Sequence, residues 1–293
     1  MEIVDAQVHL NRIGTNWETA EPREVIERAV VAMDAVGVDA VLIGEYPRGA
    51  GSWRVLPNGA RRRDYPFSEL AVQMYPDRFA YHVGVDRRDP EIDQQMAAVR
   101  ARPNSLCIRV VPLPATGEIE QFAQGAYEPI WAAAEKYDVP LFVGVPGNLD
   151  KLVPYLEKFP RAQVIMDHTA TLYAGETPPV NDVATRFAEF DHVISLARYP
   201  NLALKWCHAP DRISAEPYPF RDLAPYARRL VDAFGAERVM WASDYTQVQH
   251  HHSWAQALHH MLDWHILSDN EAEWIFGKTI RTVLRWPRNQ SSN

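Results

Sequence analysis

Cysteine is scarce: Cys107 and Cys207 are the two in 293 residues, too few for a disulfide framework, and no Cys-x-x-Cys pair offers a zinc spacing. Apolar runs stay far below the roughly 18 residues that a membrane span requires, so no membrane association is expected. No Gly-x-Gly-x-x-Gly follows an early strand pattern, which removes the dinucleotide fingerprint. No Gly-x-Ser-x-Gly elbow occurs, which disfavours that class of serine hydrolase. Positive charge is also short. Thirty Lys and Arg face 38 Asp and Glu, for a net charge of −8, and phosphate binding needs a basic surface, so nucleic acid is not an expected partner. The one basic run, Arg61-Arg62-Arg63, reads as a solvated loop face. The chain opens at Met1-Glu2-Ile3 straight into a strand pattern without a basic and apolar leader, and a cytoplasmic location is expected.

Apolar residues make up 47% of the chain, enough for a large core. They fall into eight short runs: 3–10, 39–44, 79–85, 106–111, 140–145, 163–167, 201–206 and 238–242. Several read as continuously apolar, as strands buried on both faces do. Helical patterns lie between them. Pro22 to Val36 carries Val25, Ile26, Ala29 and Met33 on one face and stops at Gly37. Further helices are expected at 127–137, 149–159 and 224–234, around Trp254–Leu262, and as one helix over 271–286. Eight strands alternating with helices predict an α/β fold, a (β/α)8 TIM barrel forming a single domain over 1–293, with a loop insertion at about 45–68.

Active sites of such barrels lie at the C-terminal strand ends. The polar residues predicted there are Gln7 and His9, Tyr46 and Arg48, His82, Arg109, Asp167-His168, Lys205, Cys207-His208 and Asp244-Tyr245. Gln7 and His9 share a face because strand side chains repeat every two residues. Asp244 ends an apolar strand, where an unpaired carboxylate is costly unless it has work to do. His250-His251-His252 reads as surface at a helix start, since adjacent histidines cannot all face one point.

Four of these stretches, Asp5-Ala6-Gln7-Val8-His9, Cys107-Ile108-Arg109, Val164-Ile165-Met166-Asp167-His168 and Arg238-Val239-Met240-Trp241-Ala242-Ser243-Asp244, occur in this order, each at a predicted strand. On them the chain resembles the amidohydrolase superfamily, in the amidohydrolase-2 branch that includes 2-pyrone-4,6-dicarboxylate hydrolases, other lactonases and non-oxidative decarboxylases. The resemblance implies a hydrolase that opens a lactone or similar bond of a small ring-derived carboxylic acid. The alternative it implies is a metal-dependent decarboxylase of an aromatic or muconate-type acid.

In the hydrolase, Asp244, His168 and His9 carry the catalysis, with Asp244 as general base toward water. Arg109 meets a substrate carboxylate, and Gln7, His208, Tyr245, His82, Arg48 and Lys205 line the pocket. The family's first-strand motif is His-x-His; here Gln7 stands in place of the first histidine. An amide is a poor ligand for a borderline metal. One divalent ion, Zn2+, on His9, His168 and Asp244 is therefore weighed against none. The expected partner is a small carboxylated substrate, with self-association into a homo-oligomer left open.

Overall fold

A computed structural model describes residues 1–11, 21–47, 52–170 and 190–287. Ten strands appear among them: β1 (Val4–Val8), β2 (Ala40–Ile43), β3 (Trp53–Val55), β4 (Arg61–Arg63), β5 (Phe79–Val83), β6 (Ser105–Val110), β7 (Leu141–Val143), β8 (Val164–Met166), β9 (Leu202–Trp206) and β10 (Val239–Trp241). Eight form one parallel sheet in the order β1-β2-β5-β6-β7-β8-β9-β10. This is the expected barrel, and every predicted strand is present. Branched and aromatic side chains on one strand face meet the helices, as where Val41 and Ile43 join Val25, Ile26 and Met33. The opposite face fills the interior with smaller groups, among them Ala40, Leu42, Ala80, Ala203 and Met240 around Phe142 and Ile165.

Strand β1 breaks the simple alternation. Val4 and Ala6 belong to the interior cluster, whereas Val8 packs with the outer shell. A register irregularity against β2 between Asp5 and Val8 accounts for the switch. It turns Gln7 and His9 toward the mouth.

The β1–β10 seam is closed mainly beyond the strands. Asp244 donates its backbone N–H to the Gln7 carbonyl at 3.0 Å. The buried Asp5 carboxylate accepts Ser243 N at 2.9 Å, Trp254 Nε1 at 2.9 Å and Gln7 N at 3.1 Å, together with the Ser243 hydroxyl.

Two expectations need correcting. The insertion after β2 is no simple loop: β3 and β4 form an antiparallel hairpin with Trp53 opposite Arg63. Its arginines are not simply solvated. Arg62 pairs with Asp89 and Glu91 at 2.6 Å, and Arg63 lies 4.9 Å from the Tyr65 ring centroid, because the hairpin folds back on the barrel rim. The second correction is the C-terminal helix. It is interrupted by a π-helical turn at Trp274–Lys278, where Gly277 comes so close to the segment before β1 that a Cβ would lie 2.6 Å from the Glu2 carbonyl oxygen.

Asp5→Asn should destabilise the protein by about 2–3 kcal/mol, because an amide N–H2 would face N–H donors that now meet an acceptor. Chemical denaturation checks this; an unchanged midpoint would show that the seam does not depend on the carboxylate.

Candidate active site

Three side chains reach the mouth from residues in the left-handed region: His168 (φ 51), His208 (φ 63) and Asp244 (φ 44), just past β8, β9 and β10. Each such non-glycine conformation costs about 1–2 kcal/mol, so the surrounding fold holds them there against local preference. Asp244 is clamped by its bond to Gln7 and by the Asp5–Ser243 contacts beside it. His9 is fixed from the other side: its backbone N–H donates to Thr246 Oγ1 at 2.8 Å, and its ring packs at a tilt, 4.5 Å between centroids, against that of Tyr46.

A connected polar network spans the mouth. Arg109 donates to Asp167 at 2.7 Å from Nε and contacts His168 Nε2 at 2.7 Å. Lys205, fully buried, pairs with Asp167 and donates to Gln7 Oε1. The Gln7 amide nitrogen then reaches Asp244 Oδ2 at 2.8 Å and His9 Nε2 at 3.2 Å. His208 Nε2 meets the same Asp244 oxygen at 2.8 Å, and its Nδ1 faces Asp211 at 3.1 Å.

Donor and acceptor rules assign the protons. A guanidinium only donates, so His168 Nε2 accepts. A carbonyl only accepts, so His9 Nδ1 carries its proton toward the Gly44 oxygen and its Nε2 takes the Gln7 N–H. Both rings are thereby neutral, and burial lowers both, His9 to about 4 and His168 well below the ordinary range. His208 is the exception. Burial opposes its charge, yet Asp211 and Asp244 outweigh burial and raise it to about 9, an imidazolium at neutral pH. Burial would raise Asp244, but the neighbouring histidines, above all the charged and hydrogen-bonded His208, hold its carboxyl well below the usual range. Its Oδ1 has no hydrogen bond among the described residues and lies 3.4 Å from His9 Nε2.

The structure thus brings Gln7, His9, Arg109, His168, Lys205, His208 and Asp244 into one cluster. His82 is buried beside it, its Nε2 without a hydrogen bond among the described residues. Tyr245 stands slightly apart, stacked on Trp254 at 5.3 Å. Arg48 lies outside the described residues. The His250–His252 run is surface only in part, because His252 is buried against Phe220.

Sequence reading missed Asp211, Asp5 and Gly44. Asp211 follows His208 by three residues in the short helix Ala209–Arg212 after β9, a spacing that could have flagged it. Gly44 carries a steric signal that appears only in three dimensions: a Cβ there would lie 2.5 Å from His9 Cε1 and 2.7 Å from His82 Nε2.

The ligating atoms of His168, Cys207, His208 and Asp244 lie within 4.8 Å of one another, a candidate metal site formed by buried donors. The hydrogen bonds test whether an ion fits. A metal needs a lone pair from each ligand. His168 Nε2 already accepts from Arg109, and Asp244 Oδ2 accepts from both Gln7 and His208. Both ring nitrogens of His208 face carboxylate oxygens, of Asp244 at 2.8 Å and Asp211 at 3.1 Å, and so act as donors. Asp244 Oδ1 is the acceptor left open. As arranged, these side chains do not fit an ion.

A parallel (β/α)8 barrel with a buried acid–imidazole cluster at the C-terminal mouth is the architecture of a barrel enzyme. The amidohydrolase family model matches residues 4–286, and the chain belongs to that family. It is 32% identical over 109 residues to an L-fucono-1,5-lactonase of Burkholderia ambifaria, a match covering 34% of this chain and 32% of that one, so the chain spans about a third of that relative's length in the match. A zinc-bound amidohydrolase of Burkholderia multivorans is similar in structure at 16% identity, covering 98% of this chain and 100% of that one, with a TM-score of 0.73. The 5-carboxyvanillate decarboxylase of Sphingomonas paucimobilis is similar at 14% identity, covering 97% and 99%, with a TM-score of 0.63. At these identities the two structures share the fold alone. No helix among the described residues is long and apolar enough to cross a membrane.

Two outcomes follow. Gly44→Ala should displace His9 and lower kcat/KM on the order of 10²-fold, the cost of about 1 Å of misplacement; wild-type kinetics would show that the close approach is not needed. The second concerns pH. His9 and His252 are lowered to about 4 and His260 to about 3, chiefly by burial, so all three stay neutral in the fold while the unfolded chain takes up protons below about pH 6.5. Stability is therefore lost as pH falls, by about 2–3 kcal/mol per histidine at about pH 4.5. Asp5, raised to about 6 by burial, acts in the opposite sense, its contribution falling as pH rises through the window from 3.8 to 6. The histidines outweigh it, so the denaturation midpoint should drop between about pH 7 and pH 4.5. A midpoint that holds or rises would contradict neutral buried histidines.

Proposed function

We propose that the protein opens a lactone, or a similar ester or amide bond, of a small ring-derived acid by attack of water. The observation that carries this reading is the Asp244 carboxylate. It is ionised and buried, its Oδ2 is saturated by two donors, and its Oδ1 is left to accept a proton at the mouth of the barrel. Water held there loses its proton to Oδ1 as its oxygen attacks the acyl carbon. His9, neutral and locked by Gly44 and Gln7, borders the same oxygen and orients the water. Arg109 places positive charge at the rim, where a carboxylate of the substrate or the developing oxyanion would be stabilised. His208 keeps Asp244 anionic through the charge it shares with Asp211. His82 and Tyr245 bound the pocket. The lactonase relative supports a lactone over other acyl substrates.

Asp244→Asn keeps the shape and removes the base, so kcat should fall on the order of 10²–10⁴-fold while a substrate analogue still binds. The decisive experiment pairs that variant with a panel of lactones and aromatic acids assayed for ring opening and for CO2 release. Ring opening that depends on Asp244 is the expected result. Decarboxylation without ring opening, or near-wild-type turnover by Asp244→Asn, would overturn the reading.

A further inference from the structure

We propose that Lys205 and Gln7 together replace a divalent ion in this barrel, as a fixed cation and the amide that relays it. Lys205 projects from β9 with no solvent exposure, its ammonium 4.9 Å from the Phe142 ring centroid. An ammonium can only donate, so the Gln7 atom facing it is the oxygen. That contact fixes the amide's orientation. Its nitrogen must then point the other way, toward Asp244 Oδ2, which only accepts, and toward the lone pair on His9 Nε2. Two groups that would otherwise turn lone pairs to a cation, the first-strand imidazole and the tenth-strand carboxylate, turn them to one amide N–H2 instead.

The charges agree. Asp167 pairs with Arg109 and Lys205, Asp244 with His208, and Asp211 with His208 and Arg212, so three carboxylates face four cationic side chains, and Lys205 also reaches Asp244 through Gln7. A divalent ion would add two positive charges to a buried cluster whose carboxylates are already fully matched by cations, and uncompensated buried charge is strongly unfavourable. Gln7 and Lys205 are positioning residues in this scheme. Gln7, with His208, saturates Asp244 Oδ2 and leaves Oδ1 without a hydrogen bond among the described residues, so the assignment shares that carboxylate with the proposed reaction. Its test, however, does not use turnover.

The test titrates metal-free protein with Co2+ and follows the visible absorption of the coordinated ion. Wild type should show no coordination spectrum at stoichiometric cobalt. Gln7→His alone should not either, because the Lys205 ammonium still occupies the corner. Gln7→His combined with Lys205→Met supplies the lone pair and removes the competing donor and charge, while Arg109 keeps Asp167 paired. That double variant should gain one equivalent of cobalt, with affinity raised on the order of 100-fold, the upper range for groups that support a metal site.

A one-to-one cobalt spectrum in wild type, or in Gln7→His with Lys205 intact, would overturn the proposal. So would a double variant that keeps the wild-type far-UV circular dichroism and still binds none. If the double variant does not fold, the wild-type and Gln7→His titrations decide the matter by themselves. Lactone-opening activity, present or absent, has no bearing on these spectra.

Discussion

One buried carboxylate holds together the part of the barrel where the ladder is weakest. Asp5 accepts the Ser243 N–H and hydroxyl, the Trp254 indole N–H and the Gln7 N–H. It thereby ties the first strand to the turn after the last one and to the helix behind both. Burial raises its pKa to about 6, a measure of how far desolvation opposes the charge even with those donors in place. The residues it binds stand beside the site. Gln7 is one of them, and Ser243 immediately precedes Asp244. A loosened seam would therefore reach the candidate site before it reached the rest of the fold.

The site itself is organised by the same limitation, that charge away from water must be matched. Arg109, Lys205 and His208 face three aspartates in a network whose members are buried or nearly so. Such a network is rigid because breaking any one pair strands the other member. The rigidity supports the left-handed backbone at His168, His208 and Asp244, which no single contact would maintain. It also directs the two oxygens of Asp244 to different roles, one saturated and one open.

The fold was largely legible in the residues. Eight apolar runs separated by helical patterns defined the barrel, since side chains buried on both faces of a strand leave a pattern that survives without coordinates. The hairpin at Trp53–Val55 and Arg61–Arg63 was not legible, because three residues per strand are too few to show a periodicity. The break at Trp274–Lys278 was also hidden. Its signal is the approach of Gly277 to the Glu2 backbone, a contact between opposite ends of the chain.

For the site, the sequence by itself determined which chemical groups stand at the strand ends. Strand periodicity and the rule that barrel sites lie at C-terminal ends suffice to collect Gln7, His9, Arg109, His168, Lys205, His208 and Asp244. What those groups do to one another was decided only by the tertiary structure. Gln7 looked like a weakened metal ligand, and in the folded chain it is an amide held between an ammonium and a carboxylate. Arg109 looked available to a substrate, and in the fold it is engaged with Asp167 and His168. Protonation and hydrogen-bond direction depend on which donor meets which acceptor across separations such as the 198 residues between Gln7 and Lys205. Local sequence carries residue type and spacing; it cannot carry that pairing, because the pairing exists only once the barrel closes.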